Sequence, residues 1–325
     1  MSRVLAVVPT LGWSGRLGDA LAALRRDARE GGEELAICVV WQGEGEPPAG
    51  LDGDRILRPR ANLGFSGAVN LALAESSSEL VALVNDDVVV APGWLGALRA
   101  ALAESPRAAA AQGVNLLDDD GAARDGAARV DGCGLAWNRA WQAVQIGRGG
   151  PPPPPDTPPF ETFGVSATAA LYRREALDGA SRRPGEVLDA ALFAYYEDVD
   201  LACRLRGRGR SALAVPAARA RHVGSATGGR LAGHRWRWIH AHRLLVLARL
   251  LGRAFWPRLP RLLLRDLADA LAIGDGPGPV ALGAAWAAAL RGLPRFARRG
   301  APLVPLAELA RFRVGCDGWP PLPPR

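Results

Sequence analysis

Short continuous apolar runs alternate with segments of helical spacing along the first 90 residues. A run of four to eight apolar residues is typical of a buried strand, whereas apolar residues at three- and four-residue intervals indicate one face of a helix. Strands separated by helices predict βαβ units, and therefore an α/β fold with a mostly parallel sheet flanked by helices. The pattern predicts strands at 4–8, 35–41, 55–57, 80–84 and 163–172 and helices at 17–26, 66–76 and 197–206.

Two adjacent aspartates follow the apolar run at 80–84, within the stretch LVNDDVVVAPGWL. Buried carboxylates are costly unless they are paired or bound to a metal. Asp86 and Asp87 therefore mark either a solvated turn or the edge of a site. Ligands of open α/β sheets bind at the carboxyl ends of strands, which favours the site.

Composition predicts a globular protein with uneven charge. The 325 residues are 49% apolar, which is ample for a core. Residues 1–200 carry 18 arginines and 28 acids, whereas residues 201–325 carry 22 arginines and 5 acids, and the chain has no lysine. A basic second half predicts an anionic partner or surface.

Cysteine spacing and the apolar runs bear on the compartment. Cysteines at 38, 133, 203 and 316 are too widely spaced for zinc-finger pairs, which predicts reduced thiols in a cytosolic protein. MSRVLAVVPTLG lacks a basic leader and a long apolar core, so we expect a first strand rather than a signal peptide. The apolar stretch at 280–290 is shorter than the roughly 20 residues of a spanning helix, and we predict no transmembrane segment.

Four short elements carry candidate chemistry: PT at 9–10, NLGFSGAVN at 62–70, NDD at 85–87, and YYEDVDLACRLRGRG at 195–209 followed by His222. Their order and spacing resemble the family 2 glycosyltransferases of the GT-A fold, particularly bacterial rhamnosyltransferase-like members that build polysaccharides and lipid-linked glycans. The resemblance implies a Rossmann-like GT-A catalytic domain over residues 1–230. Residues 231–325 are predicted to form an Arg- and Trp-rich amphipathic helical extension.

The resemblance implies a metal site at the NDD motif. Asp87 would hold Mg²⁺ or Mn²⁺, which prefer oxygen donors, with Asn85 at the first position of a DxD-type motif and Asp86 assisting or facing the ribose. His222 stands where some members have a histidine that completes the site. The alternatives are a strand-end turn, in which the carboxylates accept backbone hydrogen bonds, and a structural histidine.

The resemblance places the catalytic base at Asp198, in EDVD. Asp198 would take the proton of the acceptor hydroxyl as that hydroxyl attacks C1 of the donor sugar, inverting the anomeric centre. Glu197 would position the acceptor or shape the pocket. Alternatively, Glu197, Asp198 and Asp200 only complement a helix N-terminus, at about 0.3 to 1 kcal/mol each.

The donor contacts are also implied by resemblance. Thr10 would lie beside the nucleotide base, Gly64 would permit close backbone approach, and Asn62 and Asn70 would bond ribose or sugar hydroxyls. The stretch 164–168 aligns with the region lining the acceptor side. A glycine-rich start of a helix also occurs for purely conformational reasons.

One position departs from the family. Its second strand commonly ends in an aspartate that holds a pyrimidine base, whereas here the strand reads VVWQGEG, with Trp41 in that place. Trp41 would stack on a base, with Gln42 supplying hydrogen bonds, or the nucleotide is held differently. The departure leaves the identity of the nucleotide base open. It also leaves open the alternative that the chain is an inactive relative of the family.

The C-terminal region interleaves tryptophan and leucine with arginine. Such amphipathic helices are typical of segments in an anionic membrane interface. The alternative is a packed appendage with solvated or snorkelling arginines. The residues concerned are Trp236, Trp238, Leu244, Leu245, Leu250, Leu251 and Trp256, with Arg235, Arg237, Arg243, Arg249, Arg253 and Arg258.

These observations predict an inverting, metal-dependent glycosyltransferase. It would move a sugar, by resemblance rhamnose, from a nucleoside diphosphate donor to a cell-surface glycan or polyprenyl-linked acceptor at the inner face of the plasma membrane. A catalytically degenerate glycan- or membrane-binding relative is the alternative. A nucleic-acid binder accounts for the pI of 10.1 but not for the ordered motifs, so we expect no nucleic-acid partner. A sugar nucleotidyltransferase would need a glycine-rich, basic loop near the N-terminus.

Overall fold

The computed structural model describes residues 3–117, 128–223, 226–272 and 278–314. Cys316 lies outside these residues. The strands are β1 (Val4–Thr10), β2 (Leu35–Trp41), β3 (Arg55–Leu57), β4 (Leu80–Val84), β5 (Val88–Val90), β6 (Ala108–Leu117), β7 (Val130–Gly132), β8 (Leu135–Trp137), β9 (Ala143–Gln145), β10 (Phe160–Thr162), β11 (Ala169–Arg173) and β12 (Ser211–His222). The helices are α1 (Gly15–Gly31), α2 (Gly64–Ala74), α3 (Trp94–Glu104), α4 (Arg174–Ala180), α5 (Glu197–Arg206), α6 (Ala226–Leu251), α7 (Leu259–Ala272), α8 (Gly278–Phe296) and α9 (Leu306–Arg311).

A mixed sheet forms the centre of the molecule, in the order β10-β12-β6-β11-β4-β1-β2-β3, with β5 on β12 and β7 on β6. The first half, β3-β2-β1-β4, is parallel, as the βαβ pattern predicts. Beyond β4, β11 lies antiparallel between β4 and β6, so the sheet is less parallel than predicted. The strand predicted at 163–172 begins only at Ala169, because the preceding residues form a loop at the edge of a cavity.

Local sequence explains the N-terminal helices. The Ser14 side chain accepts a hydrogen bond from the Leu17 amide and caps α1, and Gly32 ends this helix in the left-handed conformation. Buried Asp27 of α1 accepts hydrogen bonds from the amides of Gly93 and Leu95 and so caps α3 from a distance. These hydrogen bonds of Asp27 therefore connect α1 to α3 on one face of the sheet.

The C-terminal helices pack against the sheet domain beside α5. Leucines of α6, among them Leu244 and Leu250, share one apolar core with Phe163 and Val199. The prediction that these leucines lie in a membrane interface is therefore wrong. It is also wrong for Arg243 and Arg249, which are 1% and 6% exposed and bond to buried aspartates.

The predicted α/β fold with a helical C-terminal part is confirmed. Helices cover both faces of the sheet, and two apolar cores fill the layers between them. Within the described ranges, no helix combines the length and the hydropathy that crossing a membrane requires.

Candidate functional site

A cavity of about 790 Å³ opens at the carboxyl ends of β1 and β4. It brings together side chains from distant parts of the sequence, as expected at the strand ends of an α/β sheet. The sequence-predicted residues that line it are Thr10, Asn62, Gly64, Asn85, Asp86, Asp87, Glu197, Asp198 and His222.

Asp86 turns toward the first strand. Its Oδ2 lies 2.6 Å from the hydroxyl of Thr10, which is 2% exposed. Burial raises the pKa of Asp86 to about 6, the hydrogen bond from Thr10 opposes that rise, and the charge of Asp87 adds to it. Asp86 therefore links the two strand ends and carries a readily protonated carboxyl group.

Asp87 faces His222 because of strand pairing. The antiparallel pairing of β5 with β12 sets Val88 opposite His222, so the residue before Val88 meets the end of β12. Asp87 Oδ1 lies 3.4 Å from His222 Nε2. Considering the described residues, this buried oxygen makes no hydrogen bond. A buried carboxylate oxygen without a hydrogen-bond partner is a natural position for a cation.

Asp131 supports His222 from behind and was missed in the sequence. Asp131 Oδ2 lies 2.8 Å from His222 Nδ1, and Arg148 pairs with the same carboxylate. Burial opposes ionisation of both partners. The hydrogen bonds and charges nonetheless raise the pKa of His222 to about 9 and lower that of Asp131. The only sequence signal was an aspartate beside a valine in a loop-rich region.

The donor set fits a divalent cation bound jointly by protein and ligand. A carboxylate bonded to one ring nitrogen of a histidine orients the other nitrogen toward a metal. Among the described residues, no group of three or more His, Cys, Asp or Glu side chains is arranged to hold a metal ion. The protein supplies the pair Asp87 and His222, which suits Mg²⁺ or Mn²⁺ because substrate phosphates and water complete such sites.

Glu197 and Asp198 begin α5 and line the same cavity. Asp198 Oδ2 accepts a hydrogen bond from the Ala167 amide at 3.3 Å, and Asp198 Oδ1 accepts one from the Val199 amide at 2.7 Å. Burial raises the pKa of Asp198. Burial and the charge of Asp198 raise the pKa of Glu197 well above its usual value. The pair thus divides into an anchored carboxylate and a neighbour that is favoured in its neutral form.

The backbone before α5 is strained. Phe193, Tyr195 and Tyr196 have φ angles of 46°, 67° and 72°, values that side-chain-bearing residues rarely adopt. Gly64 is required beside this segment, since an added Cβ would lie 2.4 Å from the Phe193 carbonyl oxygen. The glycine predicted to permit close ligand approach therefore permits close approach of this segment.

Two predicted donor contacts are wrong. Trp41 is 3% exposed and lies in the apolar core, with Nε1 donating to the Gly45 carbonyl, so it presents no face to a nucleotide base. The Asn70 side chain bonds both the amide and the carbonyl of Leu188 and fixes α2 to that chain segment. Gln42, next to Trp41, does line the cavity.

Helix α6 supplies part of the cavity wall, which the sequence did not indicate. Arg235, Ile239, His240 and Arg243 all line it. Both guanidinium contacts of Arg243 with the Asp266 carboxylate measure 2.6 Å. The residues assigned to a separate extension therefore complete the site.

A known protein family matches part of this chain. The model of Glycosyl transferase family 2 matches residues 48–179. The match contains the NLGFSGAVN and NDD segments but ends before Glu197. The chain is also 30% identical over 216 residues to the uncharacterized protein y4gI of Sinorhizobium fredii (strain NBRC 101917 / NGR234), covering 62% of this chain and 21% of that protein. The chain thus spans about a fifth of this relative's length.

One solved structure shows the same fold, and a second is more distant. The chain is similar to GalNAc-T7, crystallised with UDP, GalNAc and Mn²⁺, with a TM-score of 0.55, 12% identity, and coverage of 92% of this chain and 55% of that one. The mannosyltransferase PcManGT from Pyrobaculum calidifontis, in complex with GDP-Man and Mn²⁺, is 17% identical with a TM-score of 0.47, covering 95% and 79%. The predicted resemblance to family 2 glycosyltransferases of the GT-A fold is confirmed.

Proposed function

We propose that this relative of the family 2 glycosyltransferases is an inverting, metal-dependent glycosyltransferase that uses a nucleoside diphosphate sugar. One observation carries the proposal. A single cavity joins the Asp87–His222 pair to an anchored carboxylate at the start of α5. The Asp87–His222 pair suits a diphosphate with its cation, and the anchored carboxylate of Asp198 suits an acceptor hydroxyl.

Asp198 is the general base. The amides of Ala167 and Val199 orient its carboxylate, which accepts the proton of the attacking hydroxyl. The acceptor oxygen bonds to C1 of the sugar as the bond from C1 to the diphosphate oxygen breaks, and one displacement inverts the anomeric centre. Glu197, which lines the same wall, holds the acceptor by hydrogen bonding in its neutral form.

Asp87 and His222 are the protein ligands for Mg²⁺ or Mn²⁺, which when bound neutralises the charge of the leaving diphosphate. Asp131 keeps His222 Nε2 directed at Asp87. Thr10, Gln42 and Asn62 lie on the donor side of the cavity. We propose rhamnose as the sugar because of the family resemblance, and a cell-surface glycan or polyprenyl-linked acceptor.

The proposal is tested by offering UDP-, dTDP- and GDP-sugars with Mn²⁺, Mg²⁺ or EDTA and measuring donor binding, hydrolysis and transfer. Turnover of one donor, lost with EDTA and in Asp87→Ala, is expected. Asp178→Asn is the matched control, because this exposed aspartate of α4 pairs with Arg174 outside the cavity. Metal-dependent donor binding without turnover, even with acceptors, would identify a degenerate binding protein. Absence of donor binding would contradict both functions.

We also propose that the protein binds peripherally to an anionic membrane at its cytoplasmic face. The binding surface is on α7 rather than α6. Leu264 and Leu271 are 66% and 68% exposed and lie seven residues apart on one face of α7. Exposed Arg261 lies three residues before Leu264 on that face. Exposed leucine beside arginine matches the apolar interior and the anionic headgroups of a lipid surface.

Vesicles test this surface directly. The protein should co-sediment with phosphatidylglycerol vesicles at low salt and less so with phosphatidylcholine vesicles. The double change Leu264→Glu and Leu271→Glu should abolish sedimentation, whereas Leu306→Glu, on α9, should leave it unchanged. Equal sedimentation of wild type and double variant would assign the binding to another surface.

A further inference from the structure

Helix α6 holds the segment of chain that carries the proposed base. Residues 189–200, here called the base segment, run from Asp189 through a short 3-10 turn and three residues of positive φ into the first turn of α5. The base segment contains Glu197 and Asp198. Contacts from α6 reach its beginning, its middle and its end.

Arg249 of α6 joins the two ends. One guanidinium nitrogen, Nη1, donates to Asp200 Oδ1, and Nη2 donates to Asp189 Oδ2 at 2.8 Å. Both aspartates are fully buried and Arg249 is 6% exposed. A guanidinium group is planar and rigid, so these two bonds fix the separation of the two carboxylates. Its central carbon also lies 4.1 Å from the centre of the Phe296 ring, which holds the plane in place.

Other arginines contact only one end. Arg204 bonds Asp200 and the carbonyls of Ala180 and Val187. Arg295 bonds Asp189 Oδ1 at 2.7 Å and also contacts Glu186. In the described part of the chain, Arg249 alone donates hydrogen bonds to both aspartates. It is therefore the connection whose loss would let the ends move relative to each other.

The middle of the base segment is held by the same helix. His242 Nδ1 lies 2.9 Å from the Tyr195 carbonyl oxygen, and the Trp238 ring packs 5.4 Å from that of Phe193 and 6.3 Å from that of Tyr195. Tyr195 and Phe193 have positive φ, a conformation that persists only when its surroundings impose it. Helix α6 thus imposes the backbone path that leads into Asp198.

We propose that Arg249 is a positioning residue for Asp198, and that α6 is part of the catalytic apparatus rather than an appendage. The inference rests on the proposed function. Arg249 acts through Asp200, two residues beyond Asp198, and through Asp189. Misplacing a catalytic group by about 1 Å costs on the order of 100-fold in rate, so rigid anchoring of this segment matters for the chemical step.

Steady-state kinetics of Arg249→Lys and Arg249→Met provide the test, with Arg295→Met as the matched control. We expect kcat to fall about 10- to 100-fold in Arg249→Met, with the donor KM within about threefold of wild type, since Arg249 bonds Asp189 and Asp200 rather than the residues proposed to bind the donor. Lysine has a single ammonium group and should recover only part of the rate. Arg295→Met should keep kcat within about threefold, because Asp189 retains Arg182 and Arg249. Equal losses of kcat in Arg249→Met and Arg295→Met would overturn the proposal.

A second measurement separates positioning from folding and from the proposed function. Arg249→Met combined with Asp200→Asn removes the same link with fewer unpaired buried charges. In each variant that unfolds cooperatively, amide hydrogen exchange of residues 189–200 should be faster than in wild type and Arg295→Met. If the wild type transfers no sugar, the proposed function fails, and exchange alone decides whether Arg249 orders the base segment. Unchanged exchange, or a folded variant with kcat within twofold of wild type, would overturn the inference.

Discussion

The N-terminal sheet region and the C-terminal helices are both rich in leucine and alanine, yet they place charge differently. In the first region, β4 is apolar throughout and β1 is apolar up to its last residue, and the carboxylates Asp86 and Asp87 come where β4 has ended. In the helices, Arg243 and Arg249 lie inside the core, each bonded to buried aspartate. Hydrophobic pattern alone thus describes these strands, whereas the packing of the C-terminal helices also depends on distant charge pairs.

This difference bears on the proposed chemistry of the cavity. In the proposed function, the sheet region supplies the diphosphate and metal residues, and α5 supplies the base. The C-terminal helices supply residues that line the cavity. They also supply Arg249, which bonds to both ends of the base segment. Changes in the two regions should therefore differ in what they impair.

The largest effect is expected at the base. Asp198→Asn keeps the shape of the side chain but removes the proton acceptor, so kcat should fall about 10²- to 10⁴-fold with donor binding retained. Steady-state transfer assays and calorimetric titration of the donor measure the two quantities, with Asp178→Asn as the control. A kcat within threefold of wild type would remove Asp198 from the mechanism.

A stability contrast tests the arginines of the C-terminal helices. Arg249→Met leaves two buried aspartates short of a cation and should lower the free energy of unfolding by about 3–5 kcal/mol. Arg253→Met, at an exposed position just after α6, should change it by less than about 0.5 kcal/mol. Urea unfolding followed by circular dichroism measures both. Similar small changes would mean that the buried arginine network contributes little.

A smaller effect is expected at Asp131, which bonds His222 of the proposed metal site. Asp131→Asn leaves Asp87 and His222 in place but weakens the orientation of the imidazole ring, so Mn²⁺ affinity should fall about 10- to 100-fold. Electron paramagnetic resonance of free Mn²⁺, with donor diphosphate present, measures this affinity without turnover. Unchanged affinity would show that Asp131 serves only the fold.

The mildest change is expected at Glu197. Its pKa is raised well above the usual value by burial and by Asp198, so the neutral form is favoured and glutamine mimics that form. Glu197→Gln should change the free energy of unfolding by less than about 1 kcal/mol at about pH 4, where the carboxyl group of the unfolded chain is also largely protonated. A carboxyl group whose pKa is raised by folding favours the folded state at low pH. That contribution is lost as pH rises through the raised pKa, so the variant should become relatively more stable as pH increases. Parallel pH-stability curves would contradict the neutral form.

The sequence predicted what depends on local pattern. Apolar runs predicted the first four strands, and motif order predicted nine residues that line the cavity. The donor contacts predicted for Trp41 and Asn70 were wrong because a motif position does not specify whether a side chain faces a cavity or the interior. Asp131 and Arg249 were missed because their partners, His222 and Asp200, lie 91 and 49 residues away in sequence. Only the folded chain shows such pairs.

The measurement that most directly tests the central claim is a proton NMR time course of transfer from the accepted donor. It would compare wild type with Asp198→Asn and read the anomeric configuration of the first product formed. One displacement assisted by Asp198 predicts an inverted product from wild type and almost none from the variant, which should still bind the donor. A retained configuration, or equal product from both proteins, would contradict the account.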